Sequence, residues 1–195
     1  MSGLQGENVQ ARCSWCSDDE LYQSYHDHIW GRPRMDSQDL FAKLCLDGQQ
    51  AGLSWITILK KELTYYEAYD HFEPEKIIHY DALKIVDLMQ NSGIVRNKLK
   101  INSIIKNAKG YLDIEAKEGT FSDFIWSFVD GKTIQNNWRN KEDVPVSTLE
   151  SEAMSKALKK RGFSFVGPTI CYAFMQAVGM VNDHLVTCPQ WRECK

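Results

Sequence analysis

The stretch Leu46-Asp47-Gly48-Gln49-Gln50-Ala51-Gly52-Leu53-Ser54-Trp55 places a carboxylate, an amide, a hydroxyl and an indole at spacings suited to one side of a helix. At about 100° per residue, Asp47, Gln50, Ala51, Ser54 and Trp55 share one face, and Leu46, Gln49, Leu53 and Ile56 share the other. The second set predicts a core face. The first, with Ala51 and Gly52 keeping the wall low, predicts the lining of a pocket for a flat polar ring, with Asp47 as the reactive group and Gln50 and Trp55 beside it. A face that was merely solvated would expose Trp55 to no purpose.

Two further groups carry chemistry. Between Cys13 and Gly31 the chain is dense in aromatics, Trp15, Tyr22, Tyr25 and Trp30. A helix over Leu21–His28 would set Tyr22, Tyr25 and His26 on one side. Near the other end, His184 and Cys188 are four residues apart. With Cys13 and His26 they form a Cys2His2 set, the ligand count of a tetrahedral zinc site with no open position, hence structural rather than catalytic. From spacing alone Cys16, His28 and Cys194 are alternative ligands. The last group is the hairpin Leu158–Phe174. Ser147 with Glu150 reads as a capping box, Gly162 as a left-handed helix end and Pro168 as the first turn of the next helix, so the segment spells helix, tight turn, helix. Gly162 and Gly167 bare backbone N–H groups where a phosphate could approach, with Lys159, Lys160, Arg161 and Thr169 around them.

The elements that must position these groups are helical. Asp36 or Ser37 caps a helix burying Leu40, Phe41, Leu44 and Cys45, which runs on into the Asp47 stretch. Asp81–Gln90 ends at Asn91-Ser92-Gly93. The next helix buries Ile101, Ile104, Ile105, Ala108 and Leu112, and its Arg96, Lys98, Lys100, Lys106 and Lys109 read as a solvated face. Asp123–Val129 is a short apolar helical segment closed by Asp130-Gly131, and Gly131–Val146 reads as a loop. With 195 residues, 43% hydrophobic and 25% charged, a single soluble domain, in one or two helical lobes, is expected. A net charge of −3 excludes a strongly basic nucleic-acid coat, so any DNA contact must come from a local cationic face. The opening residues are polar and no run approaches the ~18 apolar residues of a membrane span, which predicts a cytoplasmic protein without membrane contact. Six cysteines in such a chain predict thiols or metal ligands rather than disulfides.

Four motifs in order, Tyr25-His26-Asp27-x-x-Trp30-Gly31, Gly48-Gln49-Gln50-Ala51-Gly52-Leu53-Ser54-Trp55, Lys159-x-x-x-Phe163-x-Phe165-Val166-Gly167 and Val181-Asn182-Asp183-His184, resemble the DNA-3-methyladenine glycosylase I family. The likeness runs from about Cys13 to Cys188. It implies an all-α helix-hairpin-helix DNA glycosylase fold, with residues 1–12 as a flexible tail and 13–195 as a single catalytic domain. It further implies a structural zinc on Cys13, His26, His184 and Cys188 joining the two ends. The implied base pocket is formed by Trp15, Tyr22, Tyr25, Trp30, Asp47 and Trp55. The implied activity is bacterial base-excision repair, in which a monomer removes 3-methyladenine from alkylated double-stranded DNA. Bifunctional relatives of this hairpin carry a lysine nucleophile at the position of Thr169, so a monofunctional enzyme is expected. Two departures bear on the site. The wider superfamily often has a catalytic Asp after the second hairpin helix, where Asp183 is the nearest carboxylate. The family normally has Glu where this chain has Asp47, which leaves as an alternative a protein that binds alkylated DNA with weak or absent glycosylase activity.

Overall fold

Helix α2 (Ser37–Gln50) is buried on all sides from Leu40 to Gln49, as expected only of a helix at the centre of a fold. Asp36 caps it, accepting from the Asp39 N–H at 2.9 Å. The computed structural model describes residues 12–195, and its architecture is mostly helical. Around α2 pack α7 (Lys98–Lys117), α8 (Phe121–Trp126) and α10 (Pro168–Ala177), with α3 (Trp55–Leu59) against its end. Ile101, Ile104 and Ala108 of α7 are buried as the periodicity requires, whereas Ile105 and Leu112 are only half-buried. Helices α4 (Glu62–Ala68), α5 (Pro74–Ile77) and α6 (Ala82–Gln90) connect α3 to α7. Helix α1 (Glu20–His28) is capped by Asp19, which accepts from Leu21 N–H at 3.1 Å and Tyr22 N–H at 3.3 Å.

The helix expected through Leu46–Trp55 is not continuous. α2 stops at Gln50, Gly52 turns the chain at φ +78°, and α3 restarts at Trp55. The cause is tertiary. Lys100, expected on a solvated face, is buried and its ammonium donates to the carbonyls of Gln49 (2.6 Å) and Ala51 (2.7 Å), satisfying acceptors that a helix end leaves open. The turn carries Leu53 away from the core, so that it is 41% exposed.

Helix α9 (Leu149–Lys160) and α10 pack against each other across residues 161–167. The capping box falls one residue later than expected. Thr148 is the cap and the buried Ser151 its partner, their side chains and backbone N–H groups bonding reciprocally at 3.4 and 2.9 Å. Gly162 takes φ +84°, the left-handed end that a residue with Cβ enters at a cost. Within the Gly131–Val146 segment read as loop, β1 (Ile134–Gln135) pairs in parallel with β2 (Val181–Asn182), Ile134 opposite Val181. A short C-terminal helix α11 (Gln190–Glu193) follows. Of the expected tail 1–12, residues 1–11 lie outside the described residues. Arg12 is tied down, paired with Asp27 at 2.8 Å. No helix among the described residues is long and apolar enough to cross a membrane.

Candidate functional site: an aromatic pocket beside a Cys2His2 cluster

Four segments remote in sequence close a cavity of about 290 Å³, Lys141 and Val144 of the 131–146 segment among its lining. Trp15, Tyr22, Tyr25 and Trp30 arrive from the N-terminal segment, Lys43, Asp47, Gln50 and Trp55 from α2 and α3, and Gln176 and Asp183 from α10 and the chain after β2. That volume suits one ring system rather than an extended ligand. The aromatics meet edge-on or tilted, Trp15 to Tyr22 at 5.1 Å, Trp15 to Trp30 at 5.0 Å and Tyr25 to Trp55 at 5.6 Å between centroids, a cage whose electron-rich faces favour a cation. All the residues expected to contact a base are therefore brought together, while Ala51, Gly52 and Ser54 are turned out of the lining by the break after α2.

Asp47 is 2% exposed, so its helix face is not a wet one. Lys43, one turn earlier, donates to its Oδ1, and Oδ2 has no hydrogen-bond partner. Burial raises the carboxyl above its ordinary range, and Lys43 opposes the rise. The indole Nε1 of Trp55 is likewise buried and unpartnered. An acceptor and a donor are thus left without partners on residues lining one cavity, at a cost of roughly 1–3 kcal/mol each, as the Tyr69 hydroxyl is elsewhere in the core.

Asp183 differs. Its Oδ1 accepts from Asn136 Nδ2 (2.7 Å) and Trp138 Nε1 (2.8 Å), and its Oδ2 from Tyr172 Oη (2.6 Å) and Gln176 Nε2 (2.8 Å). These four bonds use the four acceptor sites of a carboxylate. Asp183 thus fastens the 131–146 segment to α10 and leaves no lone pair for a substrate or a water.

Behind the aromatic wall, Cys13, His26, His184 and Cys188 converge, buried, with their ligand atoms all within 4.8 Å of one another. For a tetrahedral zinc with sulfur at about 2.3 Å and nitrogen at about 2.0–2.1 Å, each nitrogen–sulfur edge is about 3.6 Å. The distances are 3.6 Å for Cys13 Sγ to His184 Nδ1, 3.6 Å for Cys188 Sγ to His26 Nε2 and 3.7 Å for Cys188 Sγ to His184 Nδ1. The outward nitrogens are held too, His26 Nδ1 by Asp27 Oδ1 at 2.8 Å and His184 Nε2 by the Trp30 carbonyl at 3.2 Å, which orients both rings. Arg12 holds Asp27 ionised, its carboxyl down at about 2. The hydrogen bond from Cys13, then those from the two imidazoles, draw the Cys188 thiol well below its usual range, while the same bond and burial push Cys13 up. The rival ligands Cys16, His28 and Cys194 lie outside the cluster.

A sequence model of the methyladenine glycosylase family matches residues 15–192. The chain belongs to that family. It is thus a glycosylase, an enzyme that hydrolyses N-glycosyl bonds. It is 55% identical over 181 residues to the DNA-3-methyladenine glycosylase of Haemophilus influenzae, covering 93% of this chain and 98% of that one. To DNA-3-methyladenine glycosylase 1 of Escherichia coli it is 50% identical, covering 91% and 95%. A crystal structure of 3-methyladenine DNA glycosylase I superposes with a TM-score of 0.90 at 50% identity over 92% of this chain and 98% of the other. A variant of such an enzyme, 42% identical, with a TM-score of 0.88 and coverage of 91% and 95%, was solved in complex with 3-methyladenine.

At the hairpin, Lys159, Lys160, Gly162 and Thr169 are exposed and Gly167 opens α10 with space where a side chain would be. Arg161 is engaged elsewhere. It grips Glu118 through Nε at 2.7 Å and Nη2 at 2.5 Å and lies over the Phe124 ring. Sequence reasoning had not singled out Lys43 or Gln176 for the pocket. Lys43 sits among buried positions of α2 and only its charge, four residues before Asp47, signalled it.

Proposed function

We propose that this glycosylase flips 3-methyladenine out of alkylated double-stranded DNA and hydrolyses its N-glycosyl bond without cutting the strand, acting as a monomer. The observation that carries the proposal is the pair of unmet partners, Asp47 Oδ2 and Trp55 Nε1, in a cage of four further aromatics. A purine methylated at N3 carries a positive charge. The cage attracts it by roughly 0.5–2 kcal/mol per good contact, and the carboxylate accepts from its exocyclic amine. When the bond from the sugar C1′ to the base breaks, its electron pair neutralises the base, which leaves uncharged. Water adds at C1′ and releases a proton. Because the leaving group needs no protonation, a pocket without a free general acid suffices, in keeping with the four bonds that saturate Asp183. Neutral adenine gains less from cage and carboxylate alike.

The reading of α9 and α10 as a helix-hairpin-helix DNA grip rests on the bare Gly162–Gly167 turn and on Lys159 and Lys160, which have no ion-pair partner among the described residues. The geometry of the Cys2His2 cluster supports zinc. When bound, the ion would cross-link the N- and C-terminal segments on Cys13, His26, His184 and Cys188, with no open position for catalysis.

With methylated duplex DNA, the expected products are free 3-methyladenine and an intact strand bearing an abasic site. A covalent adduct trapped by borohydride would contradict the monofunctional reading, since Thr169 offers no amine. Leu53 adds a second expectation. It is exposed beside the pocket residues Gln50 and Trp55, where an apolar side chain can fill the gap that a flipped base leaves. Leu53→Ala is expected to lower kcat/KM on duplex DNA by about 1.4 kcal/mol, roughly tenfold. The same kcat/KM as the parent enzyme would remove that role.

A further inference from the structure

Lys43 is 3% exposed, on a turn of α2 whose neighbours Ala42, Leu44 and Leu46 are apolar and buried. Packing alone gives no reason for an ammonium there, and burying one is costly unless it is paired. It is paired twice, with Asp47 Oδ1 and with the Trp55 ring, whose centroid lies 3.9 Å from Nζ, and it lines the same cavity. Its bond takes one oxygen of Asp47 and leaves the other open.

We propose that Lys43 is a positioning residue for base recognition: it holds the Asp47 carboxylate by Oδ1, leaves Oδ2 as the acceptor for the incoming base, and supplies the countercharge that keeps the carboxylate ionised before the base arrives. The inference rests on the reading of Asp47 as the base acceptor. Without Lys43 an empty pocket would hold an unpaired buried carboxylate, which takes up a proton and becomes a donor on one oxygen. An acidic pocket that must wait for a cationic base would then present the wrong hydrogen-bonding face to the exocyclic amine. The ammonium also occupies one face of Trp55, so the base must use the rest of the cage.

The charged and titratable groups around the pair are Arg34 ahead of α2, Glu62 on α4, Tyr25 on α1 and Cys171 on α10. Burial pushes Asp47 up, and Lys43 and then Arg34 draw it down. Removing Lys43 leaves burial opposed by Arg34 alone, so ionisation of Asp47 must move to higher pH. The sign follows: activity that requires the carboxylate is present above its pKa and lost as pH falls through it, and raising that pKa moves the acid limb upward.

The test is kcat/KM for 3-methyladenine excision against pH for the parent enzyme and for Lys43→Met, Lys43→Gln, Asp47→Asn and the double variant Lys43→Met/Asp47→Asn. Lys43→Met is expected to move the acid limb up by about one pH unit and so to lower kcat/KM about tenfold at any pH on that limb, the fold-change of one unit. Lys43→Gln, which keeps a donor without its charge, is expected to show the same shift, and it gives the reading if Lys43→Met does not fold. In the Asp47→Asn background Lys43→Met is expected to change little, because the two act through one carboxylate. An unmoved acid limb, or an equal loss in both backgrounds, overturns the proposal while leaving Asp47 as the reader. Full activity of Asp47→Asn overturns the reading of Asp47 and the proposal with it.

Discussion

Metal analysis of the purified chain is expected to return one zinc per chain, and His184→Ala or Cys13→Ser is expected to lower stability by about 4–5 kcal/mol. The magnitude comes from topology. Residues 13 and 188 lie near opposite ends of the sequence, and a cross-link between them removes the closure entropy of a loop as long as the domain, about 4–5 kcal/mol on the chain-entropy model. For a chain of this size that is a fall in Tm of about 8–20 °C, and a strong chelator should reproduce it in the parent protein but add little in the variants. Because the aromatic wall stands on this cluster, with the His184 ring 4.6 Å from the Trp30 ring and the Trp15 ring 5.2 Å from the His26 ring, base binding should weaken with it. A zinc content near zero together with undiminished stability would rule the ion out and leave the four residues a hydrogen-bonded thiol–imidazole cluster.

Asp47→Asn is expected to lower excision of 3-methyladenine roughly ten- to a hundredfold and to leave binding to undamaged DNA unchanged. Among the described residues that line the cavity, Asp47 is the one carboxylate with an unpartnered oxygen, and a charge-assisted bond to a base is worth about 1.5–3 kcal/mol. Asn loses the charge and also the bond from Lys43, unless its own oxygen accepts it, in which case an amide NH2 faces the base. Asp47→Glu is expected to act in the opposite direction by a similar factor. The family likeness implies Glu here, and one more methylene would carry the acceptor about 1.5 Å further along its reach. Side-by-side excision kinetics check both. No gain from Glu would show that Asp47 already reaches the base, and equal activity of Asn would show that the base is read by other groups. A parent enzyme that binds alkylated DNA but releases no base, restored by Glu, would favour the binding-protein alternative.

Local patterning made much of this protein legible. The stripe Leu40, Phe41, Leu44, Cys45 and its Asp36 cap placed α2, Gly162 and Pro168 bounded the hairpin, and spacing set Asp47, Gln50 and Trp55 on one pocket wall, whereas Trp15, Tyr22, Tyr25 and Trp30 joined that pocket only through the family resemblance. These signals are legible because period, caps and turn chemistry are properties of neighbouring residues. Cys13, His26, His184 and Cys188 were a candidate ligand set by residue type, yet Cys16, His28 and Cys194 were equally eligible by spacing, and the convergence of those four alone within 4.8 Å is a fact of tertiary structure.

What the sequence could not decide was every feature set by a partner distant along the chain. The break after Gln50 depends on Lys100 reaching two carbonyls of another helix, which turned an expected surface charge into a buried cap and an expected core Leu53 into an exposed one. The parallel pair of β1 and β2 joins residues 134 and 181, too far apart for local pattern to report. Asp183 is a candidate for catalysis by sequence, but four donors from two separate segments saturate it, and Arg161 is a candidate for phosphate, but Glu118 holds it. By itself the sequence determined which chemistry was available, because that is a matter of residue type. Only the tertiary structure decided which lone pairs and charges remain free for a ligand, because hydrogen bonds between distant segments settle which groups are already satisfied.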